Sequence, residues 1–510
     1  KETVFTLPFA ILLVESYFFE GGVRALVLKL KSPRAWLYIA PFAAFLLILP
    51  ALLSFDPQAF FGTAVSQRHP DPLLTPWRYL ITQFRVLVTY IRLLFVPVVQ
   101  NFEYDYPAAR SLFEARVLLS LLILVFTARV AVRLFRRERL LSFGIAWFFL
   151  TLSVESTLKP LGNVIFEHRL YLPMFGFALF LCVMLFRLFG GRGKNVAAII
   201  LLVIVILCSV LAVRRNAMWR TDITLWSDVV KKSPGKARPH TYLGAALIKA
   251  GDMRGGLDHL RTALELDPND DNANHNIGSA FYIQGNYDEA EPYFRRAVEL
   301  DDTNAEAWYH LGVIADSRGA HEDALALMER SLALNPGQPD ALYAAGNILV
   351  ELARPGDAAA MYRRALTLNP GFTEARNNLA NTLLMTGSAA GAVEELTRIL
   401  ASDPENVEAH INLGIAFADI GEFDRALGHA RKALALDPDA GLAHYLMGSI
   451  LRNRGEFPAA IGHLVEAVRL DPGDSNAHLL LAECYDAMEM PEKAREHRDQ
   501  AERIGTNPPR

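Results

Sequence analysis

A 34-residue period governs the second half of the chain. Proline recurs at one position of this period, and Asp302 fills the single gap in the series Pro268, Pro336, Pro370, Pro404, Pro438 and Pro472. Small residues recur in phase at two further positions, beginning with Gly244 and with Ala290. Proline ends a helix because it has no amide hydrogen, and small residues allow two helices to approach closely. The period therefore predicts pairs of short helices that stack into an α-solenoid.

The length of the period and the places of its small residues are typical of tetratricopeptide repeats. We predict these repeats over 237–508, with seven full repeats in 237–474. The eighth is predicted to be a C-terminal cap, because Arg498 stands where an apolar residue usually lies. Residues 215–236 are predicted to form a degenerate half-repeat that joins the solenoid to the preceding domain. Solenoids of this kind provide long binding surfaces for other proteins.

The first half of the chain has a different character. Residues 1–236 hold 27 Lys and Arg against 13 Asp and Glu, a charge of +14, and the remainder holds 24 against 42, a charge of −18. Apolar runs long enough to cross a bilayer occur in the first half and are absent from the second. We therefore predict an all-α protein, with a polytopic transmembrane helical domain over 1–214 followed by the solenoid. The six predicted spans are 3–19, 35–55, 111–128, 140–158, 170–189 and 195–213.

A further apolar run, 77–99, carries Arg78, Arg85 and Arg92 at steps of seven, so the three lie on one helical face. Placing Arg85 and Arg92 in lipid would cost roughly 5–7 kcal/mol. We therefore predict that this helix lies in the membrane interface and does not cross the bilayer.

Loop charges predict the topology. Basic residues cluster around 24–34, 129–139 and 187–194, which marks these loops as cytoplasmic. Two cytoplasmic loops are separated by an even number of crossings, which agrees with a helix at 77–99 that does not cross. The last span then delivers the repeats to the outer side, although Arg214, Arg215 and Arg220 behind it weakly favour the reverse. The prediction is an integral membrane protein, in a bacterium of the inner membrane with periplasmic repeats, or with repeats in an organelle lumen in a eukaryote.

Polar residues beside the spans are the candidates for chemistry, because lipid makes idle polar groups costly. The segment 167–173 reads Glu-His-Arg-Leu-Tyr-Leu-Pro at the mouth of a predicted span, and the outer loop 100–110 contains Asp105 between two tyrosines. Asp105 and Glu167 are candidate proton acceptors. The alternative for the loop is a water-exposed segment anchored by its aromatic residues. The three cysteines and the histidines show no metal-ligand spacing, so no metal site is predicted.

Asparagines mark the predicted concave face of the repeats. They lie at the sixth position of the first helix or near it, at Asn276, Asn347, Asn378, Asn381 and Asn412. Amides spaced along a groove can hydrogen-bond the backbone of an extended peptide without reading its sequence. Two explanations stay open at this point: a peptide-binding groove, or solvated residues and hydrogen bonds between repeats.

The order of several motifs resembles a known family. Lys1-Glu2-Thr3 stands at the start, Tyr104-Asp105-Tyr106-Pro107 follows the arginine-bearing run, and Glu167 to Pro173 and Arg215-Asn216 precede the repeats. This order resembles the transmembrane and tetratricopeptide-repeat protein O-mannosyltransferases and their bacterial relatives. The resemblance covers nearly the whole chain, and the segment 167–173 is its most specific part.

The resemblance implies a glycosyltransferase of the C type (GT-C), whose donor is a sugar linked to a polyprenyl phosphate. It implies no tightly bound cofactor and leaves a divalent metal open. It places the principal acid in a first outer loop, in a part of the family that would precede this sequence, and so leaves the catalytic base unassigned. By resemblance Lys1, Glu2, Asp105, Glu167 and Arg169 would line the outer cavity. The expected ligands of the carrier phosphate are Arg169, Arg85, Arg92 and Lys1. The alternative for the arginines of 77–99 is that they pair with lipid phosphates in general.

Two functions follow as alternatives. The first is transfer of a sugar from the lipid-linked donor to serine or threonine of an acceptor protein bound by the repeats. The second is a non-catalytic, membrane-anchored repeat scaffold for envelope proteins. A scaffold has no use for Asp105, Glu167 and Arg169 together, which favours the enzyme. Neither function involves nucleic acid.

Overall fold

The computed structural model of the chain describes residues 13–14, 17–18, 75–153 and 164–506. Every regular element within these ranges is a helix. The predicted span 35–55, nearly all of the span 3–19, and Lys1 and Glu2 lie outside the described residues. The chain divides into two compact units, 1–270 and 271–510.

Five long helices belong to the predicted membrane domain: α1 Pro76–Phe95, α2 Ala115–Phe135, α3 Arg139–Ser153, α4 Tyr171–Leu188 and α5 Lys194–Ala217. A short 3₁₀ helix, Glu167–Leu170, leads directly into α4. Three helices of the described chain are long and apolar enough to cross a membrane: Ala115–Phe135, Glu167–Leu188 and Lys194–Ala217. They coincide with three of the predicted spans, and the predicted fold class is confirmed.

The two remaining helices differ from a full span. Helix α3 lies where 140–158 was predicted, but its described part has 15 residues, because 154–163 are outside the described residues. Helix α1 has 20 residues and carries the three predicted arginines. It is not among the three helices that meet the length and hydropathy of a span. Its place in the membrane interface stays a prediction.

Helix α1 positions the entry of α4. Tyr79, Val86 and Tyr90 are fully buried on one face of α1 and pack in one cluster with Ile165 and other residues near the 3₁₀ helix. The Tyr90 hydroxyl donates to the carbonyl oxygen of Phe166 at 2.9 Å and accepts from its amide at 3.0 Å. These bonds hold the residue that immediately precedes Glu167.

Helices α3 and α4 pack backbone to backbone at two glycines. A Cβ atom on Gly144 would stand 2.5 Å from the carbonyl oxygen of Gly176, and one on Gly176 would stand 2.6 Å from that of Gly144. Small residues allow such contact, which is a main source of helix association in membranes.

Helix α6, Asp222–Lys232, follows α5, and sixteen helices then form eight antiparallel hairpins. Their bounds are α7 Ala237–Lys249, α8 Met253–Leu266, α9 Asp271–Ile283, α10 Tyr287–Leu300, α11 Ala305–Ser317, α12 His321–Leu334, α13 Pro339–Glu351, α14 Pro355–Leu368, α15 Thr373–Met385, α16 Ala389–Ser402, α17 Val407–Asp419, α18 Phe423–Leu436, α19 Gly441–Asn453, α20 Phe457–Leu470, α21 Ser475–Ala487 and α22 Pro491–Thr506. The helix pairs follow the period that the sequence predicted.

Within a repeat, a large side chain of the second helix packs directly against the glycine of the first helix. A Cβ atom on Gly346 would lie 2.4 Å from the Tyr362 ring, and one on Gly448 would lie 2.5 Å from Cγ of Leu464. The recurring glycine is therefore required by the packing of each helix pair.

The fourth residue of the first helix closes the turn that precedes it. Its side chain hydrogen-bonds the carbonyl oxygen six residues earlier, as in Trp308 to Asp302 at 3.0 Å and Arg376 to Pro370 at 2.6 Å. Arg376 also donates to Glu395 of the second helix at 2.5 Å. The two helices of the repeat are thus joined through this position.

In four other repeats, histidines occupy the two positions that Arg376 and Glu395 hold in theirs. We call them the histidine pairs: His240–His259, His410–His429, His444–His463 and His478–His497. The Nδ1 atoms are 3.0 Å apart in the first three pairs and 2.9 Å apart in the last. Burial lowers the pKa of His429, His463 and His497, which favours neutral imidazoles that share a hydrogen bond.

We expect Gly448→Ala to destabilise the protein by about 1–3 kcal/mol, because the new methyl group would overlap Leu464. The matched control is Gly462→Ala in the partner helix α20, where an added Cβ meets no atom within 4 Å. The control should be neutral or stabilise by up to about 1 kcal/mol. Denaturant unfolding of the purified protein measures both. Equal stability of the two variants would show that the glycine is not needed for packing.

Candidate functional site

Polar residues from four parts of the first unit meet beside the mouth of α4. They come from the loop after α1, from the 3₁₀ helix, from the end of α5, and from α6 with the residues that follow it. We call this cluster the junction network, and its members are Asn101, Glu103, Tyr104, Glu167, Arg215, Asp228, Lys232, Ser233 and Lys236. Its charged side chains are largely removed from water.

Glu167 ties the 3₁₀ helix to the loop. Its Oε1 atom accepts from the backbone amide of Asn101 at 2.7 Å and from the hydroxyl of Tyr104 at 2.6 Å. Arg215 of α5 lies 4.0 Å from its Oε2 atom. Burial, followed by the hydrogen bond to Glu167, raises the pKa of Tyr104, so the phenol stays protonated and donates.

Asp228 of α6 forms the second tie. Its Oδ2 atom lies 3.0 Å from Arg215 and 2.6 Å from Lys232. Lys232 also donates to the carbonyl oxygen of Gln100 at 2.7 Å. The end of the last candidate span, α6 and the loop are therefore held by one set of charges.

Glu103 is the most deeply buried acid of the network, with 4% of the residue exposed. Lys236 lies 3.6 Å and Arg238 3.9 Å from its carboxylate oxygens. The Ser233 hydroxyl donates to the carbonyl oxygen of Glu103 at 2.9 Å and accepts from the Asn101 amide group at 2.8 Å. A buried carboxylate is stable only when paired, so these contacts fix the start of the first repeat against the loop.

Aromatic rings complete the junction. The Phe102 ring packs edge-on against Trp219 at 5.2 Å and Trp226 at 5.6 Å between centroids. Trp226 stacks on Tyr242 of the first repeat at 4.6 Å. The loop therefore packs against the segment after α5 and against α6, which in turn contacts α7.

Asp105 differs from the other acids. Its backbone amide donates to Ser233 at 2.9 Å, whereas its residue is exposed. No hydrogen bond from the described chain reaches its carboxylate, which lies near Gly235. Of the two predicted proton acceptors, Asp105 is thus the one whose oxygens are open to a substrate.

The predicted phosphate ligands occupy different surroundings. Arg169 is buried, with its guanidinium 4.9 Å from the centroid of the Phe166 ring. Arg85 donates to the carbonyl oxygen of Pro107 at 3.2 Å and lies over the Tyr106 ring at 5.1 Å. Arg92 is exposed near the end of α1. Their role as phosphate ligands stays a prediction.

The predicted groove asparagines separate into two groups. Asn378 donates to Asn347 at 2.9 Å and Asn412 donates to Asn377 at 3.0 Å, so both make hydrogen bonds between neighbouring repeats. This is the alternative that the sequence left open. Asn276 and Asn381 are half-buried, and no hydrogen bond from the described chain holds their amides.

Sequence reasoning did not find most of the junction network. Ser233, Asp228 and Lys236 belong to no recognisable motif. The partners of Ser233 and Lys236 lie about 130 residues away in the chain. The histidine pairs do have a signal in the sequence, a spacing of 19 residues that recurs in phase with the period. Among the described residues, no group of three or more His, Cys, Asp and Glu side chains could hold a metal ion.

Two family models described as tetratricopeptide repeat match the second half of the chain. One covers 242–305, 275–339, 343–407 and 390–441, and the other covers 451–510. The repeats are therefore tetratricopeptide repeats, as the sequence predicted.

The chain also resembles three proteins named protein O-mannosyl-transferase. F38B6.6 of Caenorhabditis elegans is 31% identical over 116 residues, which are 21% of this chain and 16% of that protein. Tmtc3 of Drosophila melanogaster is 27% identical over 195 residues, which are 36% and 21%. TMTC1 of Mus musculus is 25% identical over 217 residues, which are 39% and 23%. The matches thus span about a fifth of the length of these relatives.

Solved structures of repeat proteins align with part of the chain. YrrB, described as a TPR protein with an unusual peptide-binding site, is 27% identical, with 36% of this chain and 95% of that chain covered and a TM-score of 0.35. PilF of Pseudomonas aeruginosa is 18% identical, with 41% and 94% covered and a TM-score of 0.36.

We expect Glu167→Ala to destabilise the membrane domain by about 1.5–3 kcal/mol, because it leaves the Tyr104 hydroxyl and the Asn101 amide without their charged acceptor. Asp105→Ala is the matched control and should change stability by less than about 0.5 kcal/mol, because its carboxylate is exposed. Thermal unfolding in detergent measures both. A control as damaging as Glu167→Ala would contradict the assigned contacts.

Proposed function

We propose that this chain, which resembles protein O-mannosyltransferases and continues into a tetratricopeptide-repeat solenoid, is a membrane glycosyltransferase. It transfers a sugar from a polyprenyl-phosphate carrier to serine or threonine of an acceptor protein bound by the repeats. The observation that carries the proposal is that all three relatives described above are named protein O-mannosyl-transferase. The reaction takes place on the outer side of the membrane, in the periplasm of a bacterium or an organelle lumen.

The junction network supports this proposal by its position. A lipid-linked donor is confined to the membrane, whereas an acceptor protein arrives from water. Glu167, Arg215 and Asp228 join the entry of a candidate span to α6. Glu103 of the loop pairs with Lys236 and Arg238 at the start of the first repeat. Because donor-binding residues and repeats belong to one chain, an acceptor bound by the repeats meets the donor at a raised effective concentration.

Arginine is the residue suited to the carrier phosphate, because its planar guanidinium forms paired hydrogen bonds with phosphate oxygens. Arg169 lies in the 3₁₀ helix at the mouth of α4, and Arg92 is exposed at the end of α1. Arg85 and Lys1 complete the proposed set. These cations would stabilise the negative charge that develops as the carrier phosphate leaves.

The acceptor hydroxyl needs a base in the transition state. Asp105 fits this role better than Glu167, because Glu167 already accepts two hydrogen bonds while the Asp105 carboxylate is exposed. The hydroxyl oxygen attacks the sugar carbon, the bond from that carbon to the carrier phosphate breaks, and Asp105 takes the proton.

The acceptor polypeptide would lie along the concave face of the repeats. Asn276 and Asn381 offer amides that no hydrogen bond of the described chain occupies. Each amide presents a donor and an acceptor, which matches the backbone of an extended peptide. Asn347, Asn378 and Asn412 take part in hydrogen bonds between repeats and would act mainly by keeping the groove in shape.

We expect Asp105→Asn to lower the rate of transfer by about 10²–10⁴-fold, the usual value of a general base. Arg169→Ala should lower it by about 10²–10³-fold through the loss of charge stabilisation. Arg220→Ala, at an exposed arginine outside the site, is the control and should leave the rate unchanged. The assay uses full-length protein in lipid vesicles with a polyprenyl-phosphate sugar and an acceptor peptide.

The same assay separates the enzyme from a scaffold. A wild-type protein that binds acceptor peptide but transfers no sugar would support the non-catalytic scaffold. Transfer that Asp105→Asn leaves undiminished would remove Asp105 from the role of base. Thermal unfolding of Arg169→Ala is measured alongside, because Arg169 is buried.

The groove makes a separate prediction. Replacing Asn276 and Asn381 by alanine should weaken peptide binding by about fivefold for each lost hydrogen bond, at roughly 1 kcal/mol each, with little change in stability. Replacing Asn347 and Asn378 should instead lower the stability of the repeats, because each loses a bond to its neighbour. Peptide titration by fluorescence anisotropy and thermal unfolding distinguish the two groups. Unchanged binding after Asn276→Ala and Asn381→Ala would exclude the amide groove.

A further inference from the structure

The histidine pairs are a feature that sugar transfer does not use. Each joins the first and second helix of one repeat, and three of the four occur in the last three repeats, α17 to α22. The inner histidine is buried in three of the pairs, at His240, His410 and His478, and the outer one is half-buried near the surface. The Nδ1 atoms of each pair face one another.

The hydrogen bonds define where the lone pairs lie. His240, His410 and His444 each direct Nε2 at the carbonyl oxygen six residues earlier, at 3.1–3.2 Å. Because a carbonyl only accepts, Nε2 of these imidazoles carries the hydrogen and Nδ1 carries the lone pair. An imidazole that donates one N–H to a backbone carbonyl and offers its other nitrogen is the usual arrangement of a metal-ligating histidine.

Histidine is not required at these positions by the fold. In the fifth repeat, Arg376 and Glu395 occupy the same two places, and Arg376 donates both to Glu395 and to the Pro370 carbonyl. Trp308 makes the bond to the carbonyl in the third repeat. The helix pair can therefore be joined by residues that bind no metal, and the four histidine pairs add a property that the others lack.

The separation of the two nitrogens can be compared with the spacing of ligands around a metal ion. Two ligands at about 2.0–2.1 Å from a metal and at right angles to one another are about 2.9 Å apart, and at a tetrahedral angle they are about 3.4 Å apart. The Nδ1–Nδ1 distances of 2.9–3.0 Å are those of the hydrogen bond that joins each pair, and two nitrogens at this separation can also bind one ion at right angles. Right-angled positions occur in the tetragonal and octahedral geometries of Cu²⁺ and Ni²⁺, and imidazole suits both ions.

We infer that each histidine pair is a binding site for a divalent transition-metal ion, with Cu²⁺ and Ni²⁺ preferred to Zn²⁺. The ion binds both Nδ1 atoms, and water fills its other positions. The outer imidazole moves its proton from Nδ1 to the Nε2 atom, so both rings stay neutral and no proton is lost. Arg425 near His429 and Arg431 near His463 are cations that weaken binding at those two pairs.

The fifth repeat supplies the matched test. His444→Arg combined with His463→Glu copies the Arg376–Glu395 pair into the seventh repeat, which keeps the two helices joined but removes one metal site. Full-length protein in detergent is stripped with a chelator and titrated with Cu²⁺, Ni²⁺ and Zn²⁺ by calorimetry. We expect four ions per chain, and three in this double variant. The Cu²⁺ form should show two nitrogen ligands in its electron paramagnetic resonance spectrum.

Two controls make the result decisive. His321→Ala changes a histidine that is hydrogen-bonded to Asp316 at 2.8 Å, and it should leave four sites. His463→Gln keeps the inner ring and its carbonyl bond, and we expect it to bind three ions. It replaces the double variant in the test if that variant does not fold. A chain that binds no metal, or a double variant that keeps the wild-type stoichiometry, overturns the inference. The test needs no transfer activity and so is independent of the proposed enzyme function.

Discussion

Two buried or half-buried carboxylates determine how the first unit is put together. Glu103 and Glu167 are removed from water, and an unpaired charge in such a place costs several kcal/mol. Each therefore requires partners, which come from α5, from the segment after α6 and from the loop itself. The loop after α1 is held in place because Glu167 binds its Asn101 and Tyr104, and because its own Glu103 pairs with Lys236. Through the same contacts, the end of a candidate span and the first repeat are parts of one folded unit.

The repeats could be predicted in detail because each depends on contacts inside one period. A glycine such as Gly448 meets a side chain 16 residues away, and this local rule recurs wherever the sequence recurs. Three of the six predicted spans coincide with helices that could cross a membrane, and hydropathy was enough to predict them because lipid exposure requires no particular partner. The junction network could not be predicted. Asn101 and Ser233 are 132 residues apart, and nothing in either segment indicates the other.

The candidate site, like the fold, could be predicted only in part from the sequence. Resemblance and position selected Asp105, Glu167 and Arg169, but only the contacts separate an acid that is occupied by hydrogen bonds from one that is open. The asparagines were chosen by their place in the period, which does not reveal whether an amide points to solvent or to the next repeat. Asn378 and Asn381 lie three residues apart on one helix and still differ in this respect. The histidine pairs follow the period, so their recurring spacing of 19 residues is visible in the sequence alone.

The border between the two compact units falls at Asp270 and Asp271, after the first repeat. The first hairpin, α7 and α8, is thus counted with the helices before it, and Tyr242 and Lys236 bind residues of the junction. A soluble array released by cleavage before α7 would begin with a hairpin stripped of its neighbours and would expose aromatic surface. Cleavage at the border would instead leave the first hairpin with these neighbours and release the seven later hairpins. Exchange of repeat arrays between related proteins should therefore leave the first hairpin with the membrane helices.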